Sequence, residues 1–319
     1  MEPFYTIIEK QGGLRIKTYT ANIVIDAKAK LGEGPSWDQQ SQRLLWVDIE
    51  GYQLHMYYPS THEDRTIDIG EHVSAVVPYL EDEVIVALIS GLYRLNLTTG
   101  EKFIIHDPEE GRPGNRFNDG KCDPAGRFLA GTMSLNGESE QGAFYSLNTE
   151  GNVSLLIDEV STSNGLAWSA DHSTLYYIDT PTLEIVSFDY DINEGTISNK
   201  QVVATVDESE GYPDGMTIDA EGMLWVARWG GQRVSRIDPT SGKVIAEVSL
   251  PVNCVTSCAF GGEHLDELYI TTAQDDDSAD QPLAGGLFMV KPGVKGIPTA
   301  YFNQGKRAVN LEQSVTSKE

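Results

Sequence analysis

Three dipeptides carry oxygen atoms from which a reactive site could be built: Glu33-Gly34, Asn164-Gly165 and Asp214-Gly215. Together they offer two carboxylates and one amide oxygen. An oxygen-only set of this kind suits one hard divalent cation, Ca2+ first, with Mg2+ or Mn2+ as alternatives, and its carboxylates also admit Zn2+. Two carboxylates forced into one narrow space repel unless a cation or a shared proton relieves them, and a cation is the simplest relief. Taken singly, Asp-Gly and Asn-Gly are ordinary turn dipeptides. The three lie far apart along the chain, so only the fold can bring them together.

The elements that would do so are visible in a repeat. Glu33-Gly34-Pro35-Ser36-Trp37, followed by Leu44-Leu45-Trp46-Val47-Asp48, aligns without a gap to Asn164-Gly165-Leu166-Ala167-Trp168, followed by Leu175-Tyr176-Tyr177-Ile178-Asp179. Asn118-Asp119-Gly120, Asp123, Gly126 and Phe128-Leu129 align in the same way to Asp214-Gly215-Met216, Asp219, Gly222 and Leu224-Trp225. Weaker copies begin near Ser74 and Thr256. Short apolar runs bounded by Gly, Pro, Asp and Asn read as strands, and Thr99-Gly100, Glu150-Gly151, Glu194-Gly195 and Ser241-Gly242 read as hairpin turns. A period of roughly 40 to 50 residues is that of four-stranded propeller blades. The chain is therefore predicted to be all-β: one six-bladed β-propeller over 14–305, with 1–13 as an N-terminal extension and 306–319 as a polar tail. Either 14–20 or 23–27 would supply the strand that closes the last blade. In a propeller the opening strand of each blade lines the channel, which places Glu33, Asn164 and Asp214 at one end of it, with Asn118 and positions near Ser74 and Thr256 at equivalent places.

Composition removes other classes. The 319 residues hold 23 Lys plus Arg against 48 Asp plus Glu, a net charge of −25 that repels nucleic-acid phosphates and anionic membrane surfaces. No apolar stretch approaches the roughly 20 residues that span a bilayer, and the N-terminus lacks a basic-then-apolar leader. Three cysteines, Cys122, Cys254 and Cys258, are too few for a disulfide framework and fit buried thiols in a reducing compartment. A cytoplasmic protein is expected, without nucleic-acid or membrane partners, as a monomer or weak homo-oligomer. The six histidines fall in turns or outer strands without ligand spacing and are expected at the surface. Neither a Gly-x-Ser-x-Gly elbow nor a His-Glu-x-x-His pair is present.

Several segments are more specific. Leu31-Gly32-Glu33-Gly34-Pro35, Arg116-Phe117-Asn118-Asp119-Gly120-Lys121, Ala130-Gly131-Thr132-Met133, Ser163-Asn164-Gly165-Leu166-Ala167-Trp168-Ser169, Pro213-Asp214-Gly215-Met216 and Thr256-Ser257-Cys258 resemble the senescence marker protein, regucalcin and gluconolactonase family. The resemblance runs from about residue 21 to about residue 300. It implies a six-bladed propeller with one divalent cation at the channel mouth and hydrolysis of sugar lactones. It further implies Glu33, Asn164 and Asp214 as metal ligands and Arg116 and Asn118 as the substrate-contacting pair. Animal regucalcins carry acidic residues shortly after Gly-Thr-Met, where this chain has Leu135-Asn136, so Asn136 is the expected contact to a substrate hydroxyl.

On that reading Asp214 is the general base, Arg116 holds the substrate and Asn118 orients water or a ring hydroxyl. The alternatives are a non-enzymatic calcium-binding propeller and a hydrolase of other small cyclic esters. The 136–141 loop could form a lid carrying Glu138 and Glu140, the acidic run at 275–277 could hold a second cation, and Trp229 could form part of the rim.

Overall fold

Six sheets, antiparallel except for one parallel pairing, hold every strand of the computed structural model, which describes residues 5–10, 14–275 and 278–303. Four strands in sequence order build each of blades 1 to 5. Their innermost strands are Gly32–Asp38, Val73–Leu80, Asn115–Cys122, Ser163–Trp168 and Tyr212–Ile218, and Val255–Gly261 opens blade 6. Each innermost strand packs against those of both neighbouring blades, closing a ring around a channel. The predicted six-bladed propeller is therefore the observed fold.

Closure uses the second of the two candidate segments. Asn22–Ile25 pairs antiparallel with Leu287–Val290, Leu287 facing Ile25 and Phe288 facing Ile23, and completes blade 6 with residues from the chain's beginning. Leu14–Thr20 instead runs parallel beside Lys243–Ser249 at the outer edge of blade 5. Thr6–Lys10, from the stretch read as an extension, pairs antiparallel with it, so blade 5 has six strands. The 306–319 tail lies outside the described residues.

Stability is distributed around the ring. Six apolar clusters occur, one at each interface between adjacent blades. A single twisted sheet leaves two faces to cover, and radial stacking lets each blade cover its neighbour. The closing interface between blades 6 and 1 stacks Trp37 on Tyr269 with ring centroids 6.0 Å apart and an interplanar angle of 6°. His55 corrects the surface expectation for the histidines. It is buried in blade 1, where its ring stacks on Trp46 at 3.8 Å and its Nδ1 lies 2.7 Å from Asp64 Oδ2. Its neighbours on a blade face supply apolar cover that an outer-strand position alone did not reveal. All three cysteines are buried and unbridged, as expected.

Candidate active site at the channel mouth

The same local irregularity marks the strand segment that carries each site residue. In every innermost strand the pairing register with the second strand shifts at the opening position: at Glu33 to Ser36, Val73 to Ala75, Phe117 to Gly120, Asn164 to Leu166, Pro213 to Met216 and Val255 to Ser257. The shift frees Asn118 and Asp214 from the ladder, so their side chains leave the sheet's alternation, whereas Glu33, Asn164 and Arg116 stay paired with Val47, Ile178 and Met133 just before it. The glycines that follow are needed for a different reason, close approach between blades. A Cβ on Gly165 would lie 2.7 Å from the Asp214 carbonyl oxygen, and one on Gly215 would lie 2.1 Å from Ser257 Oγ. Entry into two of these strands is also fixed. Asp48 accepts the Lys30 and Leu31 N–H groups at 2.9 Å each, and Asp179 accepts those of Ser161 and Thr162 at 3.1 and 2.8 Å.

Glu33, Arg116, Asn118, Asn164 and Asp214 all line one cavity of about 240 Å3. Met133, Thr180, Tyr212 and Trp229 complete much of its wall, so Trp229 does contribute to the rim. Glu33, Asn164 and Asp214 are buried, each at most 6% exposed. Asn164 Nδ2 donates to Thr180 Oγ1 at 2.9 Å, and Thr180 Oγ1 donates to the Pro213 carbonyl at 2.8 Å. Asn118 Nδ2 donates to the Ser163 carbonyl at 2.8 Å and to Asn164 Oδ1 at 3.1 Å, while Arg116 donates to Asn118 Oδ1 at 2.7 Å. Both Asn118 donors are thus engaged with protein. Arg116 spends one guanidinium nitrogen on Asn118 and the Phe117 carbonyl, leaving its other N–H groups on the cavity wall.

The electrostatics of this wall are unfavourable as it stands. Burial pushes the Glu33 carboxyl up to about 8, and the charge of Asp119 adds to the shift. Burial and then the charges of Glu33 and Asp119 hold Asp214 well above the usual carboxylate range. Asp214 Oδ1 is buried without a hydrogen-bond partner, and so is Asp119 Oδ2. A buried carboxylate oxygen in that condition carries its full desolvation cost. Asp119 and Lys121 were not singled out by sequence reasoning, although both stand in the quoted motif around Asn118. Lys121 sits deeper in the channel, donating to the Leu166 and Met216 carbonyls at 2.9 and 2.6 Å. Thr180 and Tyr212 were missed as well: Thr180 lies beyond the second strand of its blade, and Tyr212 was legible only as the repeat counterpart of Arg116, two residues before Asp214.

The donor set fits a divalent cation. Its oxygens come from Glu33, Asp214 and Asn164, the first two need a positive charge, and Asp214 Oδ1 has no other claim on it. Among the described residues no group of three or more His, Cys, Asp or Glu side chains gathers at metal-binding spacing.

Asn136 is not brought in. It is exposed at the loop tip beyond Phe128–Ser134, outside the cavity wall, with its N–H donated to Ser134 Oγ at 3.1 Å. A tight turn through Gly137, at φ +71°, holds the segment there. Glu138 and Glu140 on the same loop are exposed too. Asp276 and Asp277 of the acidic run lie outside the described residues.

The profile of the SMP-30/Gluconolactonase/LRE-like region matches residues 31–274, which include all three candidate ligands. The chain belongs to this family. Within it, the Bacillus subtilis (strain 168) protein YvrE, whose name assigns it provisionally to the sugar lactone lactonases, is 47% identical over 267 residues, covering 82% of this chain and 91% of its own length. Regucalcin from Xenopus laevis is 41% identical over 289 residues, covering 87% and 97%. The crystal structure of a calcium-binding regucalcin from Agrobacterium tumefaciens superimposes with a TM-score of 0.85 at 29% identity, covering 89% of this chain and 98% of that one. Family and neighbours mark a propeller of the gluconolactonase type.

Proposed function

We propose that this family member hydrolyses sugar lactones with the aid of one divalent cation, Ca2+ before Zn2+, Mg2+ or Mn2+, held by Glu33, Asn164 and Asp214. The observation that carries the reading is Asp214 Oδ1, a buried carboxylate oxygen without a partner on a wall shared with a second carboxylate. When bound, the cation supplies a Lewis acid that favours negative charge on the lactone carbonyl oxygen. The remaining work falls to side chains. Arg116 donates its unspent N–H groups to substrate oxygens, which fixes the ring in the cavity. Asp214 accepts a proton from the attacking water as the water oxygen bonds to the carbonyl carbon. The ring C–O bond then breaks, and the proton held by Asp214 passes to the departing alkoxide, giving the open hydroxy acid. Asn118, with both its donors engaged, orients Arg116 and Asn164 and does not reach for substrate with its nitrogen.

The test is turnover of glucono-, galactono- and aliphatic lactones by protein stripped with chelator and refilled with each cation in turn. Activity on sugar lactones that returns with a cation, and that Asp214→Ala abolishes at saturating cation, supports the assignment. Preference for aliphatic lactones would move the substrate to other cyclic esters. Absence of turnover with every cation would leave a non-enzymatic calcium-binding propeller, although a purely binding protein has no use for an arginine with free donors beside the ligand set.

A further inference from the structure

The channel has a second mouth. Residues at the far ends of the innermost strands, among them Ser36, Trp168, Ile218 and Phe260, line a cavity of about 380 Å3 at the end opposite Glu33 and Asp214. A strap formed by 297–300 supplies another part of its wall, and Pro124, Ala170 and His172 complete it. That strap is tied across the face of the ring: Ala220 N donates to the Lys295 carbonyl at 2.8 Å, Phe302 N to the Pro78 carbonyl at 2.9 Å, Asn303 N to the Gly126 carbonyl at 2.9 Å, and Tyr301 Oη to Asp38 at 2.8 Å. The cavity is thus built by contacts from several blades.

Its chemistry is opposite to that of the site above. The chain carries 48 acidic residues, yet no carboxylate stands among the described residues lining this cavity. Lys121 does. Its Nζ donates to the carbonyls of Leu166 and Met216. An ammonium has three N–H groups, and neither bond uses the third. Lys121 lies on an innermost strand and still keeps partial exposure, which on such a strand opens onto the channel and this cavity. A cation with an unspent donor, set in an apolar pocket of ligand size, selects an anion attached to an apolar body.

We propose that this cavity is a second small-molecule site that binds an apolar monocarboxylate, the carboxylate on Lys121 Nζ and the hydrocarbon against Trp168, Ile218 and Phe260. The sugar-lactone cavity favours a different ligand, because its wall carries two carboxylates and repels organic anions in the absence of a cation. The two cavities share no lining residue, so the inference stands whether or not the chain hydrolyses lactones.

The experiment uses 2-naphthoate as probe and the full-length protein with Ca2+ present, read by calorimetry and by probe fluorescence. Saturable binding of one equivalent is expected, at least about tenfold tighter than for the neutral 2-naphthamide. Lys121→Met should weaken naphthoate by about tenfold or more, which is the loss of one charge-assisted contact. Ala300→Phe, which fills the cavity from the strap and leaves Lys121 in place, should abolish binding while leaving lactone turnover unchanged. Asp214→Ala should bind naphthoate as the parent does. No saturable binding, equal affinity for the amide, full-strength binding in Ala300→Phe, or loss of binding in Asp214→Ala would each overturn the proposal, the last by placing the probe on the cation of the upper cavity.

Discussion

Asn118 of blade 3 donates its Nδ2 hydrogen to Asn164 Oδ1 of blade 4 at 3.1 Å, and this bond settles which way both amides face. Thr180 confirms it from the other side. Its hydroxyl proton goes to the Pro213 carbonyl, so toward Asn164 it can only accept, and Asn164 must present nitrogen there and oxygen to the cavity. The oxygen proposed as a ligand is therefore locked by two residues, one from a neighbouring blade and one just past the strand that follows Asn164.

This relay predicts a role for Thr180 in holding the cation. Thr180→Val removes the acceptor for Asn164 and the donor for Pro213, and outer partners of this kind commonly affect metal affinity by about 10- to 100-fold. Calorimetric Ca2+ titration of Thr180→Val should show a loss in that range while the thermal transition without cation shifts little. Unchanged affinity would mean that Asn164 needs no support or is not a ligand.

Arg116 is expected to separate substrate binding from cation binding. Arg116→Lys keeps the charge but loses the planar fork that bonds Asn118 and leaves further donors on the cavity wall. KM for a sugar lactone should rise about tenfold or more, with a smaller effect on kcat and Ca2+ affinity within about threefold of the parent. A fall in kcat at constant KM would instead tie Arg116 to the chemical step.

The buried carboxylates make stability depend on pH in a definite direction. Glu33 titrates near 4.5 when exposed and at about 8 when folded, so between those values the folded protein retains a proton that the unfolded chain releases. Cation-free protein should therefore be most stable below about pH 4.5 with respect to this group and lose that contribution as pH rises through about 8. Thermal scans in chelator should show Tm falling across this window, Glu33→Gln should reduce the slope, and saturating Ca2+ should remove it. A slope of opposite sign in the parent protein would contradict the burial argument.

Asn136→Ala is a test of exclusion. The residue is exposed and lies outside the cavity wall. Its replacement should leave kcat/KM for a sugar lactone within about threefold of the parent, a difference of well under 1 kcal/mol. A drop of tenfold or more would show that the loop closes onto substrate.

The closing strand predicts a sharp contrast between truncations. Removal of residues 1–10 takes away, among the described residues, Tyr5 and the outermost strand of blade 5, whose exposed Ile7 adds little to any core. Removal of residues 1–26 deletes Asn22–Ile25 and leaves the edge of Leu287–Val290 unpaired. The first variant should unfold within a few degrees of the parent, and the second should fail to give a cooperative transition.

Local spacing determined a good deal by itself. Alternating apolar runs, turn glycines and two gap-free internal alignments fixed the number of blades, and the position of Glu33, Asn164 and Asp214 at the head of equivalent repeats put them at one end of the channel. Rotational symmetry made this possible, since residues at the same repeat position must meet near the axis however far apart they lie in the chain. What symmetry does not relate, the tertiary structure alone decided. Thr180 acts from beyond a second strand, Asn118 is bound by a neighbouring blade, His55 is covered by a tryptophan beside it, and Lys121 faces a cavity roofed by the returning C-terminal strap. Each depends on which atoms of separate blades come within hydrogen-bond or van der Waals reach, and that distance is set by how the blades pack.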